Sequence, residues 1–167
     1  MSRITEDVSQ VRMYVGPAVM YMINIFALSL LVGYSWEINE SKPREASVLL
    51  WEAVALAQKL KFTKGESAAW NGLGVAYEIL DSIPRAIEYY QKALAIRELL
   101  KDQKGIAAQH NNLGNVYEML GDYEKALAER RESLRIVEEL RDSVRIARAH
   151  LNLGSLYETT GLYPEAY

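Results

Sequence analysis

Apolar side chains recur every three, four or six to seven residues along much of the chain, which is the spacing of amphipathic helices. This pattern predicts three long helices, over about residues 43–61, 84–101 and 123–141. Pro43 and Pro84 stand at the start of two of them, where the missing N–H group costs nothing. Asp122 is the expected N-cap of the third helix, because its side chain can accept a hydrogen bond from a free backbone N–H.

The N-terminal part of the chain carries a different pattern. A short helix is predicted in the first fifteen residues, with Gly16-Pro17 as its end. From Met13 to Trp36 there is no charged residue, and this stretch is long enough for a helix that crosses a membrane. Two interpretations stay open, a membrane anchor and a helix buried in a soluble fold. We favour the second, since polar residues such as Asn24 and Ser35 are unfavourable in lipid.

One motif returns at intervals of forty residues. Residues 111–126 read NNLGNVYEMLGDYEKA, those forty before them NGLGVAYEILDSIPRA, and those forty after them LNLGSLYETTGLYPEA. A period of this size is typical of a helical solenoid, in which each unit covers the apolar face of its neighbour. Ser35 and Ala46 fit a degenerate first unit if its turn is one residue shorter. The positions that recur in register are Leu73, Leu113 and Leu153; Gly74, Gly114 and Gly154; Tyr77, Tyr117 and Tyr157; and Glu78, Glu118 and Glu158.

The most regular unit contains Trp70, Leu73, Gly74 and Tyr77, followed by Ala86 and Tyr90. In this order and spacing these residues resemble the tetratricopeptide repeat. The chain departs from that family's pattern because its period is forty rather than 34 residues and no proline closes the second helix. Arg130 also stands where Tyr90 does one unit earlier. The longer unit is most similar to the forty-residue variants of kinesin light chain and of the Leu-Gly-Asn adaptor proteins.

The resemblance implies an all-α fold, a right-handed superhelical solenoid of antiparallel helix pairs. We expect residues 28–167 to form about three and a half repeats, the last one incomplete, and residues 1–27 to form an apolar N-terminal segment. The recurring glycines, such as Gly114, are expected where two helices cross with their backbones close together. Ala166 opens a second helix but only Tyr167 follows it, so we expect a fragment of a longer array or self-association through an open C-terminal end.

The resemblance also implies a concave groove that binds an extended peptide and is lined by the first helix of each pair. Amides suit this task because each offers donors and an acceptor to a peptide backbone. The three recurring glutamates form a column that favours a ligand with basic residues. The alternative is that the amides only solvate or cap an exposed helix, while nearby Lys and Arg balance the glutamates. By register, the groove residues are Asn71, Val75, Glu78, Asn111, Asn112, Asn115, Glu118, Asn152, Ser155 and Glu158.

Composition narrows the possible functions. The chain has 167 residues, a net charge of −3 and 50% hydrophobic residues, which fits a globular domain without a basic patch for nucleic acid. The absence of Cys excludes a disulfide framework, a thiolate zinc site and a Cys nucleophile. The two histidines, His110 and His150, make a poor metal site without a third ligand. No phosphate loop or nucleophile motif is present, so we expect no catalytic residue, no metal and no cofactor.

The function that these observations favour is a cytoplasmic scaffold that binds a protein or peptide ligand in the groove. A membrane-anchored assembly or localisation factor, held through Met13 to Trp36, is the second hypothesis. The third is a sensor or regulatory array within a longer signalling protein. Fractionation after a carbonate wash separates the first two, because an anchored chain stays with the membrane pellet.

Overall fold

The structure of the protein is a computed structural model, and it describes residues 16–161. Within this range the chain folds into helices only, which confirms the predicted all-α class. The short helix predicted in the first fifteen residues lies outside the described range, as do Ala166 and Tyr167. The helices are α1 (Pro17–Ile38), α2 (Pro43–Lys59), α3 (Thr63–Ile79), α4 (Ile83–Leu99), α5 (Gln103–Met119), α6 (Tyr123–Glu139) and α7 (Ser143–Thr160).

From α2 onward, a new helix begins every twenty residues. The helices α2 to α6 have 17 residues each, and three-residue turns join them. The forty-residue period found in the sequence is therefore two half-repeats of equal length. Consecutive helices pack against each other along the chain, so that α1, α3, α5 and α7 are the first helices of successive pairs and α2, α4 and α6 are the second helices.

One kind of turn ends each helix from α2 to α6. After α2, the Lys61 N–H donates to the carbonyl of Gln58 at 3.0 Å and the Phe62 N–H donates to the carbonyl of Ala57 at 2.9 Å. These two bonds define a Schellman motif, in which the residue after the cap takes the left-handed conformation. Lys61 does so with φ of 54°. The same left-handed position recurs in the next four turns, at Asp81, Lys101, Gly121 and Arg141.

The left-handed residues explain why the predicted helix ends were wrong. The predictions extended the second helices to residues 61, 101 and 141, whereas these helices end at Lys59, Leu99 and Glu139. A helix cannot continue through a left-handed residue, so each one stops two positions earlier. At the other end, α4 begins at Ile83 and Pro84 is its second residue.

The last three turns also place an aspartate at the N-cap of the next helix. The carboxylate of Asp122 accepts a hydrogen bond from the Lys125 N–H at 3.3 Å, which confirms the predicted cap. Asp142 accepts one from the Arg145 N–H at 3.2 Å. Hydrogen bonds from the side chain and backbone of Lys125 lower the pKa of Asp122, and those from the backbone and side chain of Arg145 lower the pKa of Asp142. Asp102 caps α5 in the same way.

The repeat register predicted from the sequence places small residues at the helix crossings. Ala86 and Ala126 are fully buried, and Leu73 and Leu113 are buried beside them. In the first unit, Ser35 and Ala46 are also fully buried. The turn between α1 and α2 was expected to be one residue shorter, but residues 39–42 make it one residue longer than the other turns, and it has no left-handed residue. The shortening instead lies in α1, which ends three residues after Ser35, whereas α3 ends five residues after Gly74.

α1 is the exception to this regular burial. Leu28 and Ser35 are its buried residues, and Leu31 and Val32 pack beside them against the core of α2 and α3. Most of the remaining helix is exposed, so the interpretation of a buried helix applies to one stripe only. Within the described residues, α1 is long and apolar enough to cross a membrane by length and composition. It also runs without a break through residues 27 and 28, where the domain division was predicted.

Candidate functional site

The predicted groove asparagines pair with one another between successive first helices. The Asn112 amide on α5 donates from Nδ2 to Asn71 Oδ1 on α3 at 3.1 Å. One unit later, Asn152 Nδ2 on α7 donates to Asn111 Oδ1 on α5 at 2.6 Å. Both pairs join residues 41 positions apart, so the same bond repeats along the array. These amides therefore connect neighbouring units, in addition to any role at the surface.

Gln109 completes this network and was not identified from the sequence. Its side chain is fully buried, and its Nε2 donates to Asn71 Oδ1 at 2.5 Å. Gln109 Oε1 is buried without a hydrogen-bond partner among the described residues. The equivalent positions in the neighbouring units are Ala69 and Ala149, both buried. The sequence did contain a sign of this contact, because Gln109 is a polar residue at a repeat position that is alanine in the neighbouring units.

The first glutamate of the predicted column is occupied by an internal contact. Tyr90 on α4 donates from its hydroxyl to Glu78 Oε2 at 2.6 Å. Burial of the phenol, followed by this hydrogen bond and the charge of Glu78, raises the pKa of Tyr90. The phenol is thus held in its neutral donor form, and Glu78 is committed to the contact between α3 and α4.

The second glutamate is also paired within its unit. Arg130 on α6 forms a salt bridge with Glu118 and donates from Nη2 to Asn115 Oδ1 at 3.2 Å. Arg130 occupies the place of Tyr90 and is nearly as buried, at 7% exposure. Glu118 and Asn115 are therefore held by an internal cation. The Arg130–Glu118 pair agrees with the alternative interpretation of the column, in which nearby Lys and Arg balance the glutamates.

Two glycines let these side chains reach their carboxylates. A Cβ atom at Gly74 would lie 2.4 Å from the Tyr90 ring, and one at Gly114 would lie 2.8 Å from Arg130 Cγ. At Gly74 the neighbouring atoms belong to a side chain, so the predicted close approach of two backbones is not what fills this space. At Gly114 the carbonyl of Ala126 also lies 3.4 Å from that position. Because these glycines have no side chain, Tyr90 and Arg130 can cross the first helix of their unit and reach the glutamates.

The remaining groove residues differ in accessibility. Val75 is half-buried against the second core cluster and contributes to packing. Asn71 is buried, whereas Asn111, Asn112, Asn115 and Asn152 are half-buried. Ser155 and Glu158 are exposed on α7, and Glu158 has no hydrogen bond or ion pair with any other described residue. The accessible part of the predicted groove therefore lies on α5 and α7.

An open hollow lies along α7 beside these exposed residues. Its volume is about 600 Å³. His150 is exposed on its wall, whereas its counterpart His110 is half-buried and places Nδ1 2.6 Å from Glu129 Oε2. The histidines thus have different surroundings despite their equivalent positions. The residues that line the hollow are Ala147, His150, Leu151, Gly154, Ser155 and Glu158.

The fold and the repeated contacts define a class of protein, the helical solenoid built from stacked helix pairs. Two family profiles, both described as tetratricopeptide repeat, match residues 67–98 and 106–166, which together make up more than half of the chain. The chain belongs to the tetratricopeptide-repeat family. Repeats of this family generally act as scaffolds that bind protein partners and are not enzymes.

Solved structures of other repeat proteins have the same fold. The structure of BtubC (BKLC) from P. vanneervenii is 25% identical over 95% of this chain, with a TM-score of 0.69. This chain spans 63% of the length of that protein. The TPR domain of Arabidopsis FLU is 26% identical and has a TM-score of 0.64, with coverage of 70% of this chain and 98% of that domain. No match was found among curated proteins. The likeness to kinesin light chain stays a prediction.

Proposed function

We propose that the protein is a non-catalytic scaffold that binds an extended peptide along its first helices. The observation that carries the proposal is the row of half-buried asparagines on α5 and α7. Pairing uses only Oδ1 of Asn111 and only Nδ2 of Asn152. A donor on Asn111 and an acceptor on Asn152 are left, and these are the two groups that pair with a peptide unit.

The electrostatic part of the proposal rests on Glu158. Glu78 accepts a hydrogen bond from Tyr90, and Glu118 forms a salt bridge with Arg130. Glu158 is therefore the carboxylate of the column that is available to a ligand. A basic ligand residue is therefore expected to lie at α7. Charge reversal at Glu118 is a poor test of this contact, since it breaks an internal ion pair.

Selection from a displayed peptide library on the full chain, followed by affinity measurement, tests the proposal. Ser155→Trp should block the selected peptides because this side chain is exposed beside the asparagines. Ala128→Trp, at an exposed position on the second helix α6, is the matched control and should leave affinity unchanged. Failure to select any peptide, or equal binding by the two variants, contradicts binding on this face.

A second pair of variants tests the preference for basic residues. Glu158→Lys should weaken a selected lysine-containing peptide several-fold at low salt, and the difference should shrink as salt is added. Glu98→Lys reverses an exposed charge on α4 and serves as the control. If both reversals act equally, the effect comes from net charge and not from a contact with Glu158.

We also propose that the open side of α7 mediates self-association. Val144 and Leu151 are 79% and 74% exposed on this helix, and Leu151 lies on the wall of the hollow. Exposed apolar side chains beside a hollow are typical of an interaction surface. Ala147 also lines the hollow and is exposed, whereas its counterpart on α5, Ala107, is buried by α6, whose Ser133 hydroxyl donates to the Ala107 carbonyl at 2.8 Å.

A further inference from the structure

The outer face of α1 is the largest group of exposed apolar side chains on one helix of the described chain. We define this face by Val19, Met22, Ile23, Phe26 and Leu30, each at least half exposed. Met22 and Phe26 reach 64% and 65% exposure. Single exposed apolar residues are ordinary in soluble proteins, but a contiguous set of this size indicates a binding surface.

The opposite side of α1 attaches the helix to the solenoid. Leu28 and Ser35 are buried there, and Leu31 and Val32 pack against the core formed with α2 and α3. This inner stripe follows helical spacing and faces away from the outer residues. Packing of α1 against the array therefore leaves the outer face free to contact something else.

The chemistry of the outer face matches lipid better than a protein surface. No charged residue occurs from Met13 to Trp36, whereas protein interfaces carry a polar rim. The exposed Ser29 donates its hydroxyl to the carbonyl of Ile25 at 3.0 Å. This hydroxyl is thus satisfied inside the helix, as a hydrocarbon environment requires.

Aromatic residues mark the C-terminal end of the apolar face, where Tyr34 and Trp36 are exposed. Tyr and Trp favour the boundary between lipid headgroups and hydrocarbon, where one edge is apolar and the other is polar. Charged residues resume with Glu37, immediately after this boundary.

From these contacts we infer that α1 binds a lipid bilayer through its outer face while its inner stripe stays packed on the solenoid. The docked geometry sets how deeply the helix can enter. Within α1, residues 17–27 precede the buried stripe, a length of about 16 Å, against roughly 30 Å of hydrocarbon in a bilayer. The helix therefore lies in the interface of one leaflet and does not span the membrane.

Flotation of the full chain with neutral phosphatidylcholine vesicles tests the inference. The parent chain should float with the vesicles without any need for anionic lipid. The double variant Met22→Glu/Phe26→Glu should lower the partition coefficient by more than about a hundredfold, because two charges enter the apolar boundary. The control Val48→Glu/Leu99→Glu adds the same charges at exposed positions on α2 and α4, outside both proposed surfaces, and should float like the parent.

Thermal unfolding of each variant shows whether it is folded, and the outer residues are exposed enough to accept glutamate. The inference is overturned if the parent stays in the lipid-free fraction or if both double variants float equally well. It is also overturned if the outer face instead joins two copies, seen as a dimer that only Met22→Glu/Phe26→Glu dissociates. Protection of Arg12 from trypsin added outside the vesicles contradicts the docked geometry, because a helix lying on the surface leaves that site accessible.

Discussion

At the residue scale, two equivalent glycines have opposite surroundings. A Cβ at Gly74 would lie 2.4 Å from the Tyr90 ring, whereas a Cβ at Gly154 meets no described heavy atom within 4 Å. We expect Gly74→Ala to destabilise the protein by about 1–3 kcal/mol through overpacking. Gly154→Ala should stabilise it by up to about 1 kcal/mol, the gain in helix propensity. Urea unfolding measures both changes, and a shift of the same sign in the two variants contradicts this assignment.

The stability of the folded chain should depend on pH through Tyr90. Burial and the contact with Glu78 raise the pKa of Tyr90 in the folded chain, while the unfolded chain releases this proton near pH 10. The stabilisation is therefore fully present below about pH 10 and is lost as the pH rises further. Tyr90→Phe should cost about 1–3 kcal/mol at neutral pH, since a hydrogen bond to a carboxylate is removed.

The same variant should lose less stability than the parent when the pH is raised above about 10. Stability curves from urea unfolding across the alkaline range give the comparison. Some alkaline sensitivity should persist in the variant, because burial also raises the pKa of Tyr89. Identical alkaline losses in parent and variant show that Tyr90 is not the titrating group.

At the scale of the elements, the turns share one geometry but not one residue type. Lys101 and Gly121 hold the same left-handed position, with φ of 54° and 74°. The left-handed conformation costs about 1 kcal/mol or more of free energy for a lysine, whereas a glycine adopts it without this cost. We expect Lys101→Gly to stabilise the protein by up to about 1 kcal/mol and Gly121→Ala to destabilise it by about as much. Thermal unfolding checks both, and a loss of stability in Lys101→Gly contradicts the assigned strain.

The same turns show what the sequence could predict about the elements. The repeat register was predictable because Leu, Gly, Tyr and Glu each return after forty residues. The helix ends were not, because Lys61, Lys101 and Arg141 fill positions where glycine is the usual signal. The twenty-residue half-repeat was missed for the same reason, since first and second helices share their turn geometry and not their residues.

The candidate site was predictable in position and not in its contacts. Register placed the asparagines and glutamates on the first helices, where the structure has them. Their partners come from other helices: Tyr90 and Arg130 from the second helix of the same unit, and Asn112 and Asn152 from the next unit. Only packing determines which atoms of these residues meet. The sequence therefore does not show which polar groups are already bonded within the chain and which are available to a ligand.

At the scale of the whole molecule, the two ends of the described array differ from its middle. The inner helices are covered by a neighbour on each side, whereas α1 and α7 each have an exposed apolar side. In a solenoid, stability is approximately a sum over neighbouring units, so a contact on either exposed side adds an interface term to that sum. The two sides offer different chemistry for such a contact.

The side of α7 predicts association between copies in the absence of lipid. Light scattering at increasing concentration should show dimers or larger species, because burial of Val144 and Leu151 removes two largely exposed side chains from water. Val144→Glu/Leu151→Glu should remain monomeric, while Met22→Glu/Phe26→Glu should associate like the parent. The first variant tests the interface on α7, and the second, taken from the vesicle experiment, is the control. A parent chain that stays monomeric at high concentration, or association that both variants abolish, contradicts an interface located on α7.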